Sequence, residues 1–447
     1  MNYQTFLDSK TQLAGGSGFE PLWMPEFLYD FQGHLVDWSI RKGCSALLED
    51  CGLGKTPQQL VIAENWHRKT NKPVMIFAPL AVSQQTVREG EKFGIEVKRT
   101  KNGEVHPGIN ITNYQRIEKY DPSKFVGCIA DESSCLKGED RAVRRAVTSF
   151  MSKVKYRLLC TATPAPNDYM ELGGSSEALG NMTRNQMLSM FFVNDGETTQ
   201  QWRIKGHSHS SFWQWVASWA RAVRMPSDLG FDNRKFTLPP LNVAMHEVNG
   251  KGRPGFLFYV AKTLKDQRDE RRSSLVERCE KAASVLPLDK PVLAWVQLNN
   301  EGDLLTKTIP GAVQVSGSDD DEDKEEKLGA FSSGQIRALV TKPSIAGHGL
   351  NWQHCADVSY FPSWSHEQYY QAIRRCWRFG QHNPVNVHLV STDSESSVVS
   401  GMLHKERMSI DMYDGICREM GKVIKLSNGN GKATESERIP SWLSNSK

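Results

Sequence analysis

The stretch LLEDCGLGKTPQQL, residues 47–60, decides how this chain is read. It passes from apolar residues through Gly52, Leu53, Gly54, Lys55 and Thr56 into TPQQLVIAENW, a helical pattern. A strand, a glycine-rich turn and a helix in that order make a phosphate cradle. Backbone N–H groups and the helix N-terminus face the anion, the lysine neutralises it, and the threonine hydroxyl can ligate Mg2+. Pro57 falls in the first helical turn, where a missing N–H costs little. The strict pattern G-x-x-x-x-G-K-[ST] would place a glycine at position 49, and this chain has Glu49 there. The stretch alone therefore leaves open an ordinary glycine turn before a helix.

The surrounding sequence has α/β texture. Apolar runs at 44–48, 73–79, 125–130 and 156–162 alternate with longer helix-like stretches, which predicts a parallel sheet covered on both faces. The same texture returns at 291–298, 336–341, 356–361 and 385–390, predicting a second parallel-sheet lobe. The expected organisation is a leader at 1–24, a first lobe at 25–175, a helical insert and connector at 176–284, a second lobe at 285–400, and a C-terminal helix with a mobile tail at 401–447.

A nucleotide site also needs a metal-positioning carboxylate at a strand end. FVGCIADESS, 125–134, supplies Asp131 to hold Mg2+ and Glu132 to orient or deprotonate the attacking water. CTATPAPND, 160–168, carries no base or nucleophile, and its hydroxyls, Thr161 and Thr163, read either as a strand exit or as a relay to the other lobe.

The order LEDCGLGKT, DESS, TATP resembles superfamily II helicases of the DEAD/DEAH-like type, specifically the Swi/Snf-type DNA-dependent ATPases, whose loop A-D-E-x-G-L-G-K-T also lacks the first glycine. LYDFQ (28–32) resembles that family's adenine-reading segment and makes Gln32 the expected base contact. APLAVSQQTVREGEKF (78–93) and ITNYQRI (111–117) resemble segments on the family's nucleic-acid face, which implies Pro79, Leu80, Thr112 and Tyr114 as nucleic-acid contacts. QAIRRCWRFGQ (371–381) resembles Q-A-x-D-R-x-H-R-I-G-Q, with Arg375 and Arg378 at the two finger positions and Gln371 and Gln381 as interlobe coupling residues alongside Thr161 and Thr163. An arginine acting on the transferring phosphoryl group is worth about 10³–10⁵ in rate. If this segment is helical, the i,i+3 spacing puts both guanidinium groups near one face. TKPSIAGHGLNWQ (341–353) resembles a glycine-rich family segment but is one residue shorter, and implies Gly349 toward ATP and Asn351 toward nucleic acid. VQVSGSDDDEDKEEKLGAFSSG and ADVSYFPSWSHEQYYQA also track the family, so the resemblance covers roughly 28–175 and 290–392. The resemblance implies two tandem RecA-like α/β lobes with a helical insert between them.

Other features are weighed against plainer readings. SFWQWVASWARAVRM (211–225) sets Phe212, Trp215 or Val216, Trp219 and Val223 on one helical face, read as core rather than as an aromatic platform for bases. The acidic run 319–326 reads as a solvated helix start. The histidines of KGHSHSSF lack a third ligand nearby, so a metal is not expected there. KDQRDERRSS (265–274) reads as a charged helix face or a phosphate contact.

Composition bounds the rest. In a chain of 447 residues, 39% hydrophobic and 24% charged residues exclude global disorder, and a net charge of +4 permits a nucleic-acid partner without demanding one. The nine cysteines include no C-x-x-C pair, which fits a reducing compartment rather than a disulfide or zinc framework. There is no signal-peptide order at the N-terminus and no run of 18 apolar residues, so a soluble, intracellular, cytoplasmic protein is expected, in the host cytoplasm if viral. The lack of reader domains suits a stripped, phage-like motor. The reading is an ATP-hydrolysing translocase or helicase using ATP and Mg2+ on DNA, duplex or branched, alongside replication or recombination proteins, with a monomer sufficient. The rivals are an ATP-gated clamp, the motor subunit of a nuclease or restriction system, and an RNA helicase.

Overall fold

The computed structural model describes residues 17–136, 141–165, 168–194, 202–248, 272–347, 350–392 and 395–429. Gly349, most of the 265–274 stretch, most of the expected leader and the end of the expected tail lie outside the described residues. The chain divides into two units: residues up to Phe236 together with those from Met408 onward, and Thr237–Arg407.

The first unit carries strands β1 (Cys44–Glu49), β2 (Val74–Ala78), β3 (Val97–Arg99), β4 (Ile109–Asn113), β5 (Gly127–Asp131), β6 (Tyr156–Thr161), β7 (Phe192–Asn194), β8 (Trp202–Ile204) and β9 (Ala220–Val223). Seven of them form one sheet in the order β3-β4-β2-β5-β6-β1-β9, with β7 and β8 as a separate antiparallel pair. Every pairing in the large sheet is parallel. β2, β4 and β5 are buried at every residue; coverage of both faces makes β2 a continuous apolar run, whereas β4, INITN, also buries Asn110, Thr112 and Asn113.

The second unit carries β10 (Leu241–Val248), β11 (Val292–Trp295), β12 (Ala312–Val315), β13 (Ala338–Thr341), β14 (Asp357–Tyr360) and β15 (Val385–Thr392). They form one parallel sheet in the order β10-β15-β14-β11-β13-β12. Its core holds Trp295, Trp352, Phe331 and Tyr360, with a fully buried Arg278–Glu301 ion pair at 2.7 Å beside the Phe361 ring. Two RecA-like α/β lobes are thus present.

The residues expected as an insert are shared out between the units. Residues 176–236 fold with the first sheet, and 237–284 begin the second. The aromatic helix ends at Trp219, and Ala220–Val223 then turns into β9 beside β1, so Val223 belongs to a strand and not to the helical face. Pairing with β1 gives that backbone its hydrogen bonds, which overrides the helical spacing. Phe212, Trp215 and Trp219 are core, as read from the sequence. The last helix, Ser396–Gly429, contributes Met412, Tyr413, Ile416 and Met420 to the first unit's core. The Tyr413 hydroxyl donates to the Ala162 carbonyl at 2.8 Å, and Gly415 lies so close to Trp213 that an added Cβ would come within 2.8 Å of the indole. No described helix is long and apolar enough to cross a membrane.

Candidate nucleotide-binding site

In the first sheet β6 lies between β1 and β5, and all three run the same way. Leu48 is level with Thr161, and Asp131 with Cys160. The loop after β1, the Thr161 turn after β6 and the Asp131–Glu132 pair after β5 therefore emerge at one sheet edge, the carboxyl ends where parallel sheets bind ligands.

The loop's shape follows from its glycines. Gly52 and Gly54 have φ of +92° and +78°, a region closed to most side chains. Gly54 precedes the helix Lys55–Thr70, which has no side-chain N-cap and no acidic residue in its first turn. The helix's own first turn thus supplies no anion to its leading N–H groups, and the dipole favours one arriving from outside. Thr56 is half-buried at the second helical position.

Two glutamines brace this loop, and a third ties its helix to β5. Gln32 Nε2 donates to the Leu53 carbonyl at 2.7 Å, while its Oε1 accepts from the Tyr29 N–H at 3.0 Å. Gln58 Nε2 donates to Glu49 Oε2 at 2.8 Å and reaches the Gly54 and Leu53 carbonyls at 3.2 and 3.4 Å. Gln59 Nε2 donates to Asp131 Oδ1 at 2.7 Å, tying the helix to β5. Lys55 Nζ donates to the carbonyls of Glu49 at 2.9 Å and Asp50 at 3.2 Å. Burial lowers the Lys55 pKa, but the neighbouring Cys51, Glu132, Glu49 and Asp131 outweigh it, so the shift is upward and the ammonium keeps its proton. Two of its three donors serve the loop and one is left for a ligand.

At Asp131 burial wins instead. Burial, reinforced by Glu132, pushes Asp131 up to about 6 against the hydrogen bond from Gln59 and the charge of Lys55. Glu132 is buried, has φ of +50°, and leaves Oε2 without a hydrogen-bond partner. A non-glycine residue held in the left-handed region with an unsatisfied buried carboxylate oxygen is backbone strain of the kind found at functional sites. These residues fit a nucleotide with its metal. Mg2+ takes one or two carboxylates plus phosphate and water, and Asp131 with Thr56 supplies such a partial set.

Thr161 Oγ1 accepts from the Thr163 N–H at 3.1 Å, so the two are linked within the first unit. Tyr114 is 5% exposed and its hydroxyl donates to the Asp131 carbonyl at 2.6 Å. It fastens the end of β5, and its ring is buried against Phe77. Thr112 is likewise buried, within β4, because every residue of that strand is covered. Pro79 is the half-buried N-cap of the helix Leu80–Phe93, and Leu80 opens it. Gln32, expected to read a base, spends its amide on Leu53 and Tyr29 as described above.

A pocket of about 520 Å³ opens beside Gln32, lined by Tyr29, Asp30, Phe31, Phe231, Asp232, Arg234, Lys235 and Phe236. The Phe236 ring stands edge-on to Tyr29 and Phe31, each at 5.0 Å, and Lys235 Nζ lies 5.3 Å from the Tyr29 ring. Sequence reading found one wall, LYDFQ, and missed the other, which lies some 200 residues away.

In the second unit the helix His366–Ile373 ends before the arginines, so Arg375 and Arg378 sit in turns and not on a helical face. They still converge, each donating to the Leu350 carbonyl at 3.2 Å. Gln371 holds Arg375 through its backbone carbonyl at 2.9 Å and its Oε1 at 3.0 Å. Gln381 donates to the Cys355 and Cys376 carbonyls, within the same unit. Asn351 is half-buried, with Oδ1 enclosed and lacking a protein partner.

No family model matches the chain, and no curated protein does. Among solved structures it is similar to the Sulfolobus solfataricus SWI2/SNF2 ATPase core in complex with dsDNA, at 15% identity and a TM-score of 0.42, over 92% of this chain and 97% of that one. This is a coarse likeness of fold.

Proposed function

We propose that the chain is a nucleic-acid-dependent ATPase, a motor that couples ATP hydrolysis to movement on or remodelling of DNA. One observation supports this reading above the others: the Gly52–Thr56 cradle, Lys55 and the Asp131–Glu132 pair come together at one edge of a parallel sheet. Backbone N–H groups and the free Lys55 donor bind the phosphates. Thr56 and Asp131 would hold Mg2+, which supplies charge neutralisation on the phosphates when bound. Glu132, with one carboxylate oxygen unpartnered, orients the attacking water and accepts its proton. The pocket beside Gln32 takes the base against the rings of Tyr29, Phe31, Phe231 and Phe236, with the charged Asp30, Asp232, Arg234 and Lys235 also lining it. The resemblance of QAIRRCWRFGQ adds Arg375 and Arg378 as the residues on which hydrolysis is proposed to depend.

DNA is the nucleic acid that the resemblance of QAIRRCWRFGQ implies. A clamp without turnover has no need of Glu132 or of the arginines. The test is ATP turnover by Lys55→Ala, Glu132→Gln and Arg378→Ala. Each is expected to lose hydrolysis, Lys55→Ala together with nucleotide binding and the other two while retaining it. Wild-type turnover in Glu132→Gln would overturn the assignment of the water-activating group.

A further inference from the structure

The residue that breaks the strict phosphate-loop pattern, Glu49, has no role in the chemistry above, yet it is fully buried at the end of β1. A carboxylate there is costly unless its environment uses it. Its Oε2 accepts from Gln58, whose amide also reaches the Gly54 and Leu53 carbonyls, so one side chain links the strand before the loop to the loop's own backbone. Oε1 is enclosed without a partner. The Glu49 backbone carbonyl holds Lys55 at 2.9 Å. A glycine at this position could do the last of these and none of the others. A buried apolar residue would fill the space but leave the Gln58 amide without its acceptor.

We propose that Glu49 is a positioning residue for the nucleotide: through Gln58 it holds the Leu53 and Gly54 carbonyls, and so presets the loop and Lys55 for a polyphosphate. The side chain works beneath the loop and does not touch the ligand. This rests on the nucleotide reading given above. Preorganising the cradle appears in binding, because ordering that is already present need not be supplied by the ligand.

The test is titration of a fluorescent ATP analogue into wild type, Glu49→Ala, Glu49→Gln, Gln58→Leu, the Glu49→Ala/Gln58→Leu double variant and Lys55→Ala, with thermal unfolding of each. Glu49→Ala and Gln58→Leu are each expected to weaken binding about tenfold, the upper end of the range for one buried hydrogen bond. The double variant is expected to bind no more weakly than Glu49→Ala alone, because both changes cut the same link. Glu49→Gln keeps an oxygen for Gln58 and is expected to bind within about threefold of wild type. In turnover, KM rises more than kcat falls. Wild-type affinity in Glu49→Ala, or losses that multiply in the double variant, would overturn the proposal. If Glu49→Ala does not fold, Glu49→Gln and Gln58→Leu decide: equal losses in both would overturn it. Failure of wild type to bind ATP removes the nucleotide reading and this inference together. Binding that is lost in Lys55→Ala and unchanged in Glu49→Ala removes this inference alone.

Discussion

Gly54→Ala perturbs the loop in two separable ways. Gly54 has φ of +78°, and a Cβ built there would stand 2.3 Å from Gln32 Nε2. Holding alanine in the left-handed region costs about 1–2 kcal/mol. The clash is with the end of a flexible side chain, so Gln32 swings away and loses its bond to the Leu53 carbonyl, at about 0.5–1.5 kcal/mol. The sum, about 1.5–3.5 kcal/mol, predicts nucleotide binding weaker by roughly 10- to 300-fold. Gln32→Ala removes the amide that is struck, so in that background Gly54→Ala retains only the backbone term. The double variant is therefore expected to fall short of the summed losses by about 0.5–1.5 kcal/mol. Titration of a fluorescent ATP analogue into the four proteins measures each corner of the cycle. Additivity within about 0.3 kcal/mol would mean that Gln32 does not brace Gly54.

Two further predictions concern the second unit. Glu301 accepts from Arg278 and from the Gln297 and Leu298 N–H groups, so Glu301→Leu removes the carboxylate that the buried guanidinium pairs with at 2.7 Å. The expected loss is about 3–5 kcal/mol, partly recovered in Arg278→Leu/Glu301→Leu, as read by hydrogen exchange of β11; equal exchange in the single and double variants would contradict it. His366 is 2% exposed with neither ring nitrogen partnered, and burial, aided by Lys405 and opposed by Glu367, lowers its pKa from the ordinary 6.5 to about 4. Its unfolded form binds the proton more tightly, so stability is full above pH 6.5 and is lost as pH falls toward 4, by roughly 3 kcal/mol. His366→Leu is expected to remove that acid-sensitive increment from the second unit's denaturation profile, and an unchanged pH dependence would contradict the assignment.

The strands legible in the sequence are those buried on both faces, such as β2, β5 and β14, because burial leaves a continuous apolar run. β9 was hidden: ARAV follows the aromatic helix with no glycine or proline to mark the change, and only the open edge of β1 makes it a strand. β10 was hidden for the opposite reason. It lies at a sheet edge with Val243 and Met245 exposed, so its composition carries no burial signal. The cradle was legible because Gly52, Gly54, Lys55 and Thr56 act through backbone and adjacent side chains, which sequence order controls. Its bracing was not. Gln58 and Gln59 are neighbours in the chain, yet one turns to Glu49 and the other to Asp131, a choice set by where β1 and β5 lie around the helix. Tyr114 has the same lesson: its segment resembles a nucleic-acid contact, and its hydroxyl is spent on Asp131.

The central claim is that ATP hydrolysis here answers to nucleic acid. The direct measurement is the steady-state ATPase rate of the whole chain with Mg2+ and no nucleic acid, then with single-stranded DNA, duplex DNA, forked DNA and RNA. A low basal rate is expected, with clear stimulation by DNA, greatest with duplex or forked DNA, and no stimulated rate in Lys55→Ala. A wild-type rate that none of the nucleic acids raises would contradict it.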